Sequence, residues 1–175
     1  NSKFKLDDYF IFALISTICD LMPLRGFNRK ILTIGFKKLA IKNKGLKRII
    51  NKNFKKKLSY HDIGFNIGPL INSCGRIAKA NDVVELFLTQ DDDKIDTIID
   101  KMNIHNEKRK KIEQENLSLI NLKKYYSKNV VFIYNKRFHE GTIGIIAAKL
   151  SQLFNKPCFI VTESYGLLKC SIRSG

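Results

Sequence analysis

Val130-Val131-Phe132-Ile133-Tyr134 leads, after a short polar gap, into Phe138-His139-Glu140-Gly141-Thr142-Ile143-Gly144. The first run is β-branched and aromatic, which predicts a buried strand. From Ile143 onward, Ile146, Ala147, Leu150, Leu153 and Phe154 recur at helical spacing and give the next segment one apolar face. Pro157 closes the helical region, and Cys158-Phe159-Ile160-Val161 predicts a second strand. Strand, glycine turn, helix and strand make a βαβ unit. In such a unit the turn after the first strand faces the ligand, and the helix start offers unpaired N–H groups to an anion. A phosphate-handling site near His139, Gly141 and Gly144 is therefore one expectation. A plain turn with a surface histidine is the other, because a short glycine motif is weakly specific.

Outward from this unit, composition narrows the choices. The chain has 175 residues, enough for one domain or two small ones, and its apolar content can fill a core without staples. Its formal charge is +16, from 32 basic and 16 acidic residues, which suits a polyanionic partner. The abundance of lysine, asparagine and isoleucine also fits a compositional drift that would raise the charge without function. Residues 1–60 hold 15 basic and 3 acidic groups, 61–127 hold 10 and 11, and 128–175 hold 7 and 2. The ends carry the positive field, and the middle is a segment of another kind.

Cys19, Cys74, Cys158 and Cys170 lack C-x-x-C spacing, so a zinc site is not expected, and dispersed thiols fit a reducing, cytoplasmic setting. The apolar run Tyr9 to Cys19 is cut by Asp20, well short of the ~20 residues a membrane span needs. No membrane and no signal peptide are expected, and both chain ends read as cut from a longer protein.

Phe10 to Ile18 predicts a buried helix or strand, with Asp20 at its exit. A carboxylate there is either a cap or loop residue, or one that is paired or metal-bound. Asn28 to Leu39 predicts an amphipathic helix with Ile31, Leu32, Gly35, Phe36 and Leu39 on one face. The lysines from Lys37 to Lys57 could hold a nucleic-acid backbone or simply form a solvated face. In Ile63 to Ala80, three glycines and a proline predict special backbone angles, with Arg76 just before a helix start. An arginine fork there could grip a phosphate, or pair with Asp82 or Glu85. Asp82 to Leu88 predicts a short helix. Asp93 is the expected N-cap of one long helix, Lys94 to Tyr126, with Ile95, Ile98, Ile99, Met102, Ile112, Leu119 and Ile120 as its stripe. That stripe turns polar at His105, Asn106 and Arg109, as in a helix bridging two domains. Leu167 to Ile172 predicts a last strand, and Ser171, Arg173 and Ser174 make a compact anion-binding set at its end.

Taken together and in order, these stretches resemble the RecJ branch of the DHH phosphoesterases, single-strand-specific 5′→3′ DNA exonucleases. The resemblance is carried by STICDLMPLRGFNRKILTIGFKKL (16–39), FNIGPLINSCGRIAKANDVVELFLT (65–89), NEKRKKIEQENL (106–117), FHEGTIGIIAAKLSQLFNKPCFIV (138–161) and KCSIRS (169–174). It implies an α/β protein in three parts. Residues 1–60 would be the tail of the DHH catalytic domain, and 61–127 the glycine-arginine motif and long connecting helix. Residues 128–175 would begin the DHH-associated, nucleic-acid-binding α/β domain with its βαβ unit. It also implies a two-metal Mn2+ or Mg2+ centre that activates water, with Asp20 matching its last aspartate and acting as a catalytic metal ligand. Arg76, His139, Gly141, Ser171, Arg173 and Ser174 would surround the strand and its 5′ phosphate. The implied partner is single-stranded DNA with a 5′ end, met by a monomer beside repair proteins such as a helicase or a single-strand-binding protein.

The sequence departs from the family pattern at Leu70, where an arginine is usual, at Lys149, again in place of an arginine, and at Cys170, in place of a smaller residue. The aspartate and Asp-His-His motifs that precede the last aspartate in the family are absent, so no exonuclease activity is expected of this chain alone. A catalytically degenerate DNA-binding module is the alternative from another class. A phosphodiesterase for short RNA or cyclic dinucleotides is the third reading.

Overall fold

The computed structural model describes residues 9–37, 41–53 and 58–174. Leu39 of the expected amphipathic face, and Lys38 and Lys55 to Lys57 of the basic stretch, lie outside the described residues. The chain forms two compact units, one of residues 1–74 and 79–104 and the other of 75–78 and 105–175.

The first unit is helical. α1 (Phe10–Cys19) buries Ile11, Leu14 and Ile15, an i, i+3, i+4 set, which settles the choice between helix and strand. α2 (Gly26–Lys37) buries Ile31 and Gly35. A Cβ on Gly35 would stand 3.0 Å from a Leu14 methyl, so α2 lies close on α1. α3 (Lys44–Asn53) is capped by Asn43, whose Oδ1 accepts from the Leu46 N–H at 2.9 Å. Its basic face is not simply solvated. Lys44 pairs with Asp92, Arg48 with Asp92 and Asp96, and Lys52 with Asp96 and Asp100, a ladder of one-turn steps.

Ser59 and Asp62 form a capping box at α4 (Tyr60–Asp62). The chain then passes through one π-helical turn, Ile63–Ile67, into α5 (Gly68–Ile77). The special backbone angles expected here are absent: residues 63–77 are continuously helical, and the positive-φ glycines are Gly26 and Gly166. Gly68 is needed for space instead, since a Cβ there would lie 2.5 Å from Cys19 Sγ. Arg76 accordingly ends a helix rather than preceding one.

α6 (Asn81–Leu88) agrees with the expected short helix. α7 (Asp92–Ser118) starts one residue before the expected cap, because Asp91 Oδ1 accepts from the N–H groups of Asp93 and Lys94. It also stops short of Tyr126. A 3₁₀ turn, Leu122–Tyr125, follows, and Leu119 lies beyond the helix half-exposed. The core gathers Leu14, Leu46, Ile49, Ile63, Ile67, Leu86, Ile95, Ile99 and Met102. None of the described helices is long and apolar enough to cross a membrane.

The second unit is the βαβ unit plus a hairpin. β1 (Val131–Tyr134) pairs in parallel with β2 (Cys158–Ser164), with Val131 opposite Cys158 and Tyr134 opposite Val161. β2 pairs antiparallel with β3 (Leu167–Arg173), in the order β1-β2-β3. Tyr165 and Gly166, both at positive φ, make the two-residue hairpin turn. α8 (Glu140–Phe154) joins β1 to β2 and ends on Asn155 in the left-handed region, two residues before Pro157. Its buried face holds Ile143, Ile146, Ala147, Leu150 and Phe154 against Val131, Ile133, Cys158 and Ile160. Leu153, expected on that face, falls at its rim and is 53% exposed.

Candidate phosphate-binding site

The site is built on the start of α8. His139 is the N-cap, and its Nδ1 accepts from the Gly141 N–H at 3.1 Å. The neutral ring therefore carries its proton on Nε2. The His139 carbonyl takes the N–H of Thr142 at 2.9 Å and its hydroxyl at 2.8 Å. Thr142 is fully buried and accepts in turn from Asn116 Nδ2 of α7 at 3.0 Å. The turn is thus pinned from within the unit and does not depend on a ligand for its shape.

Gly141 and Arg76 interlock. Arg76 Nη1 donates to the Gly141 carbonyl at 3.2 Å, across 65 residues of sequence. A Cβ on Gly141 would overlap the Arg76 carbonyl oxygen and stand 2.8 Å from its carbonyl carbon. Only glycine lets the two backbones come this close. Pairing of Arg76 with Asp82 or Glu85 is not what the contacts show.

β3 brings the third set. A Cβ on Gly144 would meet Ser171 Oγ at 3.5 Å, so this β3 residue faces the first turns of α8. Arg173 is exposed at the strand end, where Nη1 donates to the Ile172 carbonyl at 2.9 Å. Ser174 follows, also exposed. Arg76 keeps contact with solvent, yet its pKa is lowered. Burial of the guanidinium is the largest cause, followed by the charges of Arg109 and then Arg173, while Glu113 opposes them. Arg109 and Arg173 thus act on Arg76 as like charges. At the other side of the helix start, Glu140 pairs with Lys169, and that hydrogen bond, followed by one from Ser164, holds its carboxyl below the usual range.

Of the residues picked from sequence, Arg76, His139, Gly141, Ser171, Arg173 and Ser174 all lie in this unit. Asp20 lies in the other, as the exposed C-cap of α1, where its Oδ2 accepts from Ser16 Oγ at 3.1 Å. Among the described residues no three His, Cys, Asp or Glu side chains gather to hold a metal ion. A lone carboxylate does not make a two-metal centre, so the described residues do not fit one by themselves.

Sequence reasoning passed over Glu113 and Asn116, two buried polar residues of α7, and noted Arg109 only where the stripe turns polar. The signal was present in the spacing. Ile95, Ile99, Met102, Asn106, Arg109, Glu113, Asn116 and Ile120 alternate steps of four and three, so the buried face runs on while its chemistry changes from apolar to polar.

No family model matches the chain. Three curated relatives carry the name single-stranded-DNA-specific exonuclease RecJ. The one from Bacillus subtilis is 31% identical over 183 residues, covering 96% of this chain and 22% of that protein. The one from Escherichia coli is 28% identical over 174 residues, covering 91% and 30%. The one from Thermus thermophilus is 22% identical over 162 residues, covering 93% and 24%. Among solved structures, Thermus thermophilus RecJ in complex with Mn2+ superposes with a TM-score of 0.85 at 24% identity, over 96% of this chain and 25% of that one. An exonuclease RecJ bound to manganese gives a TM-score of 0.80 at 24% identity, over 96% and 43%. The chain therefore spans about a quarter of the curated relatives it matches. Over nearly its whole length the chain is therefore similar in sequence to a segment of the RecJ exonucleases, and it shares that segment's α/β fold.

Proposed function

We propose that this chain is the phosphate-gripping part of a metal-dependent exonuclease that hydrolyses single-stranded DNA from its 5′ end. One observation carries the proposal. Arg76 reaches the start of α8 from a distant part of the sequence, the charge of Arg173 acts on it, and neither arginine pairs with a carboxylate among the described residues. Guanidiniums that feel each other's charge and have no carboxylate in direct contact suit a phosphate, which takes hydrogen bonds from both. His139, Gly141, Ser171 and Ser174 supply polar groups around the same place, and the helix start adds its partial positive charge. In this assignment residues 1–60 are the tail of the catalytic domain, 61–127 hold the glycine-arginine motif and long helix, and 128–175 begin the nucleic-acid-binding domain.

The metal part of the proposal extends beyond the described residues. RecJ structures are named as complexes with Mn2+ and Mg2+. Asp20 would give one oxygen ligand to such a pair of ions, and the remaining ligands come from outside the described residues. The proposed setting is DNA repair and recombination in the cytoplasm, as a monomer working with a helicase or a single-strand-binding protein.

The test compares one single-stranded oligonucleotide with a 5′ phosphate and with a 5′ hydroxyl, by fluorescence anisotropy. Arg173→Ala should weaken capture of the phosphorylated end by about tenfold, the size of one charged hydrogen bond, and leave the hydroxyl end less affected. Equal affinity for both ends in both proteins would count against the role. The isolation of Asp20 favours a second reading, a binding segment without catalysis of its own. Mn2+-dependent release of nucleotides by this chain alone would contradict that reading.

A further inference from the structure

Glu113 is 5% exposed, and its carboxylate serves two cations. Oε2 accepts from Arg109 Nη1 at 2.8 Å, and Oε1 meets Lys149 Nζ of α8. Arg109, itself with an 11% exposed side chain, gives its Nε and Nη2 to Asn106 Oδ1 at 3.2 and 3.1 Å. All three nitrogens of that guanidinium are therefore engaged by α7. Arg76 and Arg173 donate only to backbone carbonyls in the contacts of the described residues. Glu113 thus pairs with Arg109 and Lys149, while Arg76 feels the charges of Arg109, Arg173 and Glu113 itself.

We propose that Glu113 is a positioning residue of this site. By taking Arg109 and Lys149 onto one buried carboxylate, it keeps Arg76 and Arg173 as the guanidiniums that meet the ligand, and so favours a terminal phosphomonoester over an internal diester. The inference rests on the phosphate-binding role proposed above. A terminal phosphate offers three oxygens and close to two negative charges, which two guanidiniums can match. An internal diester offers two oxygens and one charge. Without the Glu113 charge, Arg109 and Lys149 are no longer held back, and any phosphate along the strand meets four loosely placed cations.

The experiment uses the whole chain, the same oligonucleotide with a 5′ phosphate or a 5′ hydroxyl, and anisotropy titrations beside thermal melts. The wild type should prefer the phosphorylated end. Glu113→Gln keeps the shape and one acceptor but removes the charge. It should cut the preference at least about fivefold while affinity for the hydroxyl strand holds or rises. Glu113→Asp, which keeps the charge, should restore part of the preference. A carboxylate that only stabilised the fold would lower the melting temperature and the active fraction without moving the ratio. Lys149→Gln changes an exposed side chain and serves if Glu113→Gln fails to fold. It leaves Glu113 half compensated and drawing on Arg76, so the ratio should fall in the same direction by a smaller factor. An unchanged ratio in Glu113→Gln, or in Lys149→Gln where the first variant is unfolded, overturns the inference. A wild type that binds both ends equally also overturns it while leaving strand binding intact. A wild type that binds neither strand removes the proposed function and this inference together.

Discussion

Two glycines three residues apart on α8 should respond in opposite ways to one added methyl group. At Gly141 the new Cβ would overlap the Arg76 carbonyl oxygen and stand 2.8 Å from the carbonyl carbon and 3.2 Å from His139 Nδ1. The limiting contact is the overlapped carbonyl oxygen, and a Cβ does not sit closer than 3.0 Å to such an atom, so the end of α5 and the start of α8 must part by about 1 Å. The obstacle is backbone, which cannot rotate aside as a side chain would. Overpacking of this kind costs about 2–3 kcal/mol, and the better helix propensity of alanine returns at most about 1 kcal/mol. Gly141→Ala should therefore lose about 1–2 kcal/mol net, or about 2–8 °C of Tm for a chain of this size. The same shift breaks the Arg76 bond to the Gly141 carbonyl, so affinity for a 5′-phosphorylated strand should fall with it. At Gly144 the Cβ would meet Ser171 Oγ at 3.5 Å, an ordinary contact. Gly144→Ala should gain up to about 1 kcal/mol from helix propensity and melt at or above the wild type. Circular dichroism melts of the three proteins in one buffer decide the matter. A Gly141→Ala protein that melts with the wild type or above it would refute the interlock.

The ladder between α3 and α7 should be weak and salt-sensitive, because its side chains are 38–69% exposed. Asp96→Asn, which removes the shared partner of Arg48 and Lys52, should cost under about 1 kcal/mol at low salt and less at high salt, read by urea unfolding. The Lys52 pKa is raised, first by its hydrogen bond to Asp96, so its share of stability is present below the ordinary value of 10.5 and fades as pH rises through the folded value. Glu140 behaves oppositely. Its pKa lies below the ordinary 4.5, first through Lys169 and then Ser164, so its contribution is present above that value and is lost as pH falls through the folded one. Glu140→Gln should melt below the wild type at neutral pH, and the gap should close in acid.

The βαβ unit was legible because its signals are local: a β-branched run, a 3.6-residue apolar period and a proline stop. The same local logic misread residues 63–77. Glycine there reads as turn chemistry, whereas Gly68 answers to Cys19, a neighbour nearly fifty residues away. The cap of α7 slipped because three consecutive aspartates offer equivalent starts, and its end ran long because no glycine or proline marks Ser118. Asp20 could be placed at the end of α1, but no pattern near it indicates a companion ligand. The contact between Arg76 and Gly141 left no periodic trace at all. Only the family resemblance put those two residues into one set. Glu113 escaped notice because a carboxylate at a heptad position reads as a break in the stripe until its two cations are seen.

The second unit takes residues 75–78 from one stretch and 105–175 from another. On the ribosome Arg76 would emerge 65 residues ahead of the carbonyl it grips. At about 5–20 residues per second that is a wait of roughly 3–13 s, with β3 and Arg173 arriving later still. During synthesis, then, the nascent chain displays the Arg76 helix end before β3, which carries Ser171 and Arg173, exists. A site that needs Arg173 is complete only once β3 has been made.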